Sequence, residues 1–119
     1  VSRVPQFLQA VEEEVTAQYP DFEVVWFGHI GDGNLHLNIL KPASWEIEEF
    51  KHRCEEVSEK ILAIVARFEG SISAEHGVGL LKRDQLRYSR SEPEIAAMKS
   101  LKQVFDPGNV MNPGKLISI

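Results

Sequence analysis

Residues 28–39 read GHIGDGNLHLNI, which sets His29, His36, Asn34 and Asn38 around a glycine-rich bend, and residues 73–79 read SAEHGVG, with Glu75 beside His76. Imidazole and carboxylate groups at such spacing suit metal ligation and proton transfer near neutral pH. The Asp32-Gly33 pair is favoured in type I′ hairpin turns. A turn centred there pairs His29 with His36, Ile30 with Leu35 and Phe27 with Asn38. Alternation then gathers Phe27, His29, Asn34, His36 and Asn38 on one face, and Trp26, Ile30, Leu35, Leu37 and Ile39 on the other. The first set reads as a site and the second as core.

Directly opposed residues hold their Cβ atoms about 5 Å apart, so both imidazoles can reach one ion with bonds of about 2.0–2.1 Å. The H-x6-H spacing alone equally describes two surface histidines on a solvated sheet. Glu75 adds a carboxylate that can complete a two-His, one-carboxylate set with coordination positions left open. His76 is then a candidate general base, and Gly77 and Gly79 allow the backbone to turn closely. The Gly-Asp-Gly bend lacks a phosphate-loop lysine and opens no helix, which favours a turn over a phosphate cradle.

The elements that must position these residues follow from periodicity. Val4, Phe7, Leu8, Val11 and Val15 form a helical stripe over residues 3–18, tolerating Pro5 and ending before Pro20. Runs over 23–30 and 34–40 predict the hairpin strands. Ile47, Phe50, Cys54, Val57, Ile61, Ile64 and Phe68 predict a long helix within 45–69, with Ser44 as N-cap and Gly70 as the stop. Residues 71–74 alternate like a short strand. Ser91 and Glu94 stand in capping-box spacing before a last helix that stops at Asp106-Pro107-Gly108. The fold class expected is α+β, a ferredoxin-like antiparallel sheet covered by helices, with a first strand supplied upstream of Val1.

A length of 119 residues fits one domain or part of one, and 43% hydrophobic with 26% charged residues fits a globular chain. No apolar run approaches the roughly 18 residues of a membrane span. The net charge of −5 disfavours a nucleic acid partner. Cys54, the single cysteine, falls on the apolar stripe and reads as a buried thiol. The absence of an initiator Met and of a signal peptide suggests a truncated C-terminal piece and a cytoplasmic parent, with peripheral membrane attachment left open.

The segments GHIGDGNLHLNI, SAEHGVGLLKR and FDPGNVMNPGKL, in this order, closely resemble the C-terminal domain of FAD-linked 2-hydroxy acid dehydrogenases and oxidases. The resemblance runs from Val24 onward and implies lactate-, glycolate- or 2-hydroxyglutarate-type substrates. It implies that residues 1–119 form the substrate-side cap domain, while FAD is bound by the polypeptide's own N-terminal domain, absent here. His29, His36 and Glu75 match the metal-binding positions, for zinc first and iron or manganese otherwise. Asn38 and His76 match substrate-contacting positions, with His76 as the proposed base. No flavin-binding residue is identified in this segment. The rival reading is a stand-alone ferredoxin-like binding module without catalysis; a structural zinc domain is weaker, since closed sites take four protein ligands.

Overall fold

The computed structural model describes residues 1–119. It contains helix α1 (Val4–Gln18), strands β1 (Glu23–His29) and β2 (Asn34–Leu40), helix α2 (Ile47–Arg67), a 3-10 turn (Arg83–Tyr88) and helix α3 (Glu92–Phe105). The chain divides into two compact units, Val1–Phe68 and Glu69–Ile119. No helix is long and apolar enough to cross a membrane.

In the first unit, Pro5 sits in the first turn of α1, where its missing N–H removes no helical bond, and the helix closes at Gln18 ahead of Pro20. Strands β1 and β2 pair antiparallel. Val11 and Val15 of α1, Val57 and Ile64 of α2, and Phe22 between α1 and β1 form the buried cluster. Val24, Trp26, Leu37 and Ile39 pack onto it from one face of the hairpin. Each fully buried aliphatic side chain contributes about 1.5–3 kcal/mol. Phe22 ties the corner together by edge contacts to Trp45 at 5.1 Å and Phe50 at 5.3 Å. One hairpin face is thereby used up in the core, leaving the other for chemistry.

The α+β class with an antiparallel sheet covered by helices holds, while three local expectations change. Residues 71–74 do not form a strand, and the sheet has two strands. Their serines bond locally instead: Ser71 Oγ donates to the Ser73 carbonyl at 2.9 Å, and Ser73 Oγ donates to the Gly77 carbonyl at 2.8 Å. Such side chains offer the backbone an alternative to a ladder. Ser44 does not cap α2, because a turn holds it: Trp45 N–H bonds to Pro42 O at 3.1 Å, and Lys41 Nζ reaches Trp45 O at 2.7 Å. Glu46 takes the N-cap place without a side-chain bond. At the other end Glu69, not Gly70, carries the left-handed conformation, with φ 56°.

The expected capping box of α3 is present. The Ser91 side chain accepts from the Glu94 N–H, and the Glu94 carboxylate accepts from the Ser91 N–H at 2.8 Å. The Ser91 N–H and, at 2.7 Å, the Ser91 hydroxyl donate to the Glu94 carboxylate and hold that carboxyl below its usual range. The helix ends at Phe105 with Asp106 as C-cap.

Candidate functional site

The hairpin closes through four residues, 30–33, centred one position earlier than the Asp32-Gly33 pair suggests. Gly33 N–H bonds to Ile30 O at 3.3 Å, Asn34 N–H bonds to Asp32 Oδ1 at 3.2 Å, and Gly33 takes φ 73°. The Asp32 side chain thus acts as a turn-former. Because the centre moves by one residue, the register moves by two. His29 lies opposite Asn34, and Phe27 lies opposite His36, which corrects the expected His29–His36 and Phe27–Asn38 pairs.

A two-residue shift preserves which side chains share a face. His29, His36 and Asn38 remain together, away from the core face, with His29 and His36 now diagonal neighbours. Diagonal positions stand about 7–8 Å apart, which two imidazoles can still bridge through one ion. His29 and Asn38 are exposed, His36 is half-buried and Asn34 is buried. The Phe27 ring stacks on the His36 imidazole, centroids 4.8 Å apart and planes 8° apart. The sequence puts Phe27 on the site face but opposite Asn38, since a turn centred one residue later pairs those two, whereas in the structure it opposes His36.

Gly28 makes this register possible. Its φ is 136°, and a Cβ there would lie 2.2 Å from the Asn34 carbonyl oxygen. The strands approach at this point more closely than any side chain permits.

In the second unit Glu75 and His76 occupy a bend between Ser73 and Gly77. His76 Nε2 stands 3.7 Å from Glu75 Oε2, and the His76 side chain is 85% exposed. Gly77 and Gly79 follow with φ 71° and 64°. Neither unit by itself gathers three His, Cys, Asp or Glu side chains into a metal-holding group. His29 and His36 belong to the first unit and Glu75 to the second. The donor chemistry of the hairpin nevertheless suits a divalent ion, with two nitrogen donors on one solvent-facing sheet face. The glycine-rich segment closes a hairpin and opens no helix, so it is not the N–H cradle that a flavin pyrophosphate takes.

The tail motif has a structural anchor. Asp106 is 5% exposed, and its carboxylate accepts from the Val110 and Met111 N–H groups at 3.0 and 2.9 Å and from Lys102 Nζ. The Lys102 ammonium, aided by these two N–H groups and opposed by burial, pushes the carboxyl down to about 2. A separate cavity of about 420 Å³ in the first unit is lined by Gln18, Tyr19, Pro20, Asp21, Trp45 and Arg53. It shares no residue with the chemistry-bearing set. Cys54 is half-buried, and burial pushes its thiol up, as suits a packing residue.

Comparison with known proteins decides the family. The pattern defining the FAD linked oxidases, C-terminal domain, matches residues 1–116. The chain belongs to this family. It is 56% identical over 118 residues to a D-2-hydroxyglutarate dehydrogenase of Stutzerimonas stutzeri, covering 99% of this chain and 25% of that protein. A D-2-hydroxyglutarate dehydrogenase of Xanthomonas citri is 49% identical over 116 residues, covering 98% of this chain and 25% of the relative. A D-lactate dehydrogenase of Anaerostipes hadrus is 42% identical over 96 residues, covering 81% and 20%. This FAD-linked oxidase C-terminal domain therefore spans about a quarter or less of the length of these curated relatives.

Proposed function

We propose that the chain is the substrate-side, metal-binding part of a flavin-dependent dehydrogenase that oxidises a D-2-hydroxy acid to the 2-oxo acid. The observation that carries this reading is the hairpin face turned away from the core, where His29, His36 and Asn38 stand together. Family membership supports it, and the relatives' names favour a substrate of the 2-hydroxyglutarate or lactate type. The remainder of the polypeptide would carry the flavin.

His29 and His36 would hold a divalent cation, zinc first among the candidates, through one ring nitrogen each, and Glu75 is the carboxylate that the family resemblance offers as a further donor. When bound, the cation supplies Lewis acidity toward the substrate's carboxylate and α-hydroxyl, and the flavin supplies the hydride acceptor. Asn38, exposed on the same face as the histidines, donates its side-chain amide N–H to a substrate oxygen and so orients it. His76, open to solvent with Nε2 toward Glu75, takes the hydroxyl proton on Nδ1.

The test is elemental analysis of the full-length protein, made without a polyhistidine tag, alongside His29→Ala, His36→Ala and Glu75→Ala. Turnover of D-2-hydroxyglutarate and D-lactate is followed with an artificial dye as electron acceptor. Near-stoichiometric metal in the parent, lost in each variant together with turnover, is the expected result. Full metal content and full turnover in the three variants would sink the proposal.

A further inference from the structure

We propose that Phe27 is the positioning residue for His36, fixing the plane in which the imidazole offers its nitrogen. The inference rests on the metal role proposed above for His36 and extends it to a residue that binds nothing itself.

The geometry is that of a platform. Phe27 and His36 are directly opposed across the hairpin, and their rings lie face to face, 4.8 Å between centroids and 8° from parallel. The separation falls within the range that aromatic pairs prefer. Phe27 is 53% exposed and belongs to the face opposite the core residues Val24, Trp26, Leu37 and Ile39, so the ring is not held there by core packing. Its stacked neighbour is the imidazole.

A histidine needs such a restraint to serve as a ligand. Rotation about its χ2 torsion is broad, and each orientation sends the nitrogen lone pair along a different line. Metal-binding histidines are usually oriented by a hydrogen bond from the second ring nitrogen. A face-to-face stack achieves the same end differently, because rotation out of the plane drives the edge of the imidazole into the phenyl face. Gly28 completes the arrangement: its close approach to the Asn34 carbonyl fixes the register that sets Phe27 against His36.

The experiment compares the full-length protein with Phe27→Leu, which keeps apolar bulk without a ring, and Phe27→Tyr, which keeps the ring. Two quantities are read: the ring-proton chemical shifts of 13C-labelled His36, and zinc retention against a competing chelator. In the parent, the phenyl ring current displaces the His36 protons upfield. Phe27→Leu is expected to abolish that displacement and weaken zinc retention about tenfold, the lower end for loss of a ligand-orienting partner. Phe27→Tyr should preserve both, and unfolding midpoints should stay close to the parent's because Phe27 lies outside the core. An unchanged His36 shift in Phe27→Leu overturns the proposal, as does loss of zinc in Phe27→Tyr equal to that in Phe27→Leu. If the parent retains no zinc, the metal reading fails; the His36 shift then still decides whether Phe27 fixes the ring, by its loss or persistence in Phe27→Leu.

Discussion

Gly28 and Gly77 show how differently two glycines serve one chemistry. Gly28 has φ 136° and a prospective Cβ 2.2 Å from the Asn34 carbonyl oxygen and 3.2 Å from Leu35 Cα, both backbone atoms that cannot move aside. Gly77 has φ 71° and nothing within 4 Å of a prospective Cβ. Alanine at Gly77 meets only the left-handed penalty of about 1–2 kcal/mol. At Gly28 the strain of a glycine-only conformation adds to a collision between strands, and a loss of at least about 3 kcal/mol is expected. Urea unfolding of Gly28→Ala and Gly77→Ala measures both. Equal losses would mean that the hairpin yields at Gly28 and that the register opposing Phe27 to His36 is not locked there. The site depends on this backbone contact as much as on its imidazoles, since a register slip of one residue would turn His36 into the core.

Among the elements, the end of α3 carries the clearest dependence on pH. The Asp106 carboxyl sits at about 2 against an ordinary 3.8, held down by Lys102 and by the Val110 and Met111 N–H groups. A carboxyl depressed by folding contributes stability that is complete above its unfolded value and disappears as pH falls through the folded one. Asp106→Asn should therefore lower the unfolding midpoint near neutral pH, while parent and variant converge at about pH 2. A constant gap across that window would show that the carboxylate charge is not what holds the tail. The same elements show what was legible in advance. Pro20 and the Ser91–Glu94 box marked helix ends because each acts within one turn of its own position. The site face of the hairpin was legible because a two-residue error in register keeps side chains on their faces. Which residues oppose one another was not, because Asp32 bonding to Asn34 N–H and Gly33 at φ 73° close a four-residue loop in place of an Asp-Gly turn. The serine bonds of 71–77 escaped for a related reason: alternation over four residues cannot tell a strand from a segment whose side chains satisfy its own backbone.

For the whole molecule, the placement of buried residues predicts an uneven stability. Val11, Val15 and Val57 are 0–2% exposed, and Phe22 and Ile64 join them in the core of the first unit. In the second unit α3 buries no residue, and Leu101, Val104 and Phe105 are 59%, 73% and 79% exposed. Opening a segment costs little where little apolar surface is covered. Hydrogen exchange on the 119-residue chain should thus find the central amides of α1 and α2 slowest. Those of α3 should exchange at least about tenfold faster, a gap of roughly 1.4 kcal/mol in opening free energy. Uniform protection across both units would show that the chain opens as one body. The expected gradient has a functional consequence under the proposed reading. His29 and His36 would stand on the rigid unit, a fixed nitrogen pair. His76, on a bend followed by Gly77 and Gly79 in the looser unit, would adjust as substrate arrives, and proton transfer needs that adjustment more than metal ligation by a stacked imidazole does.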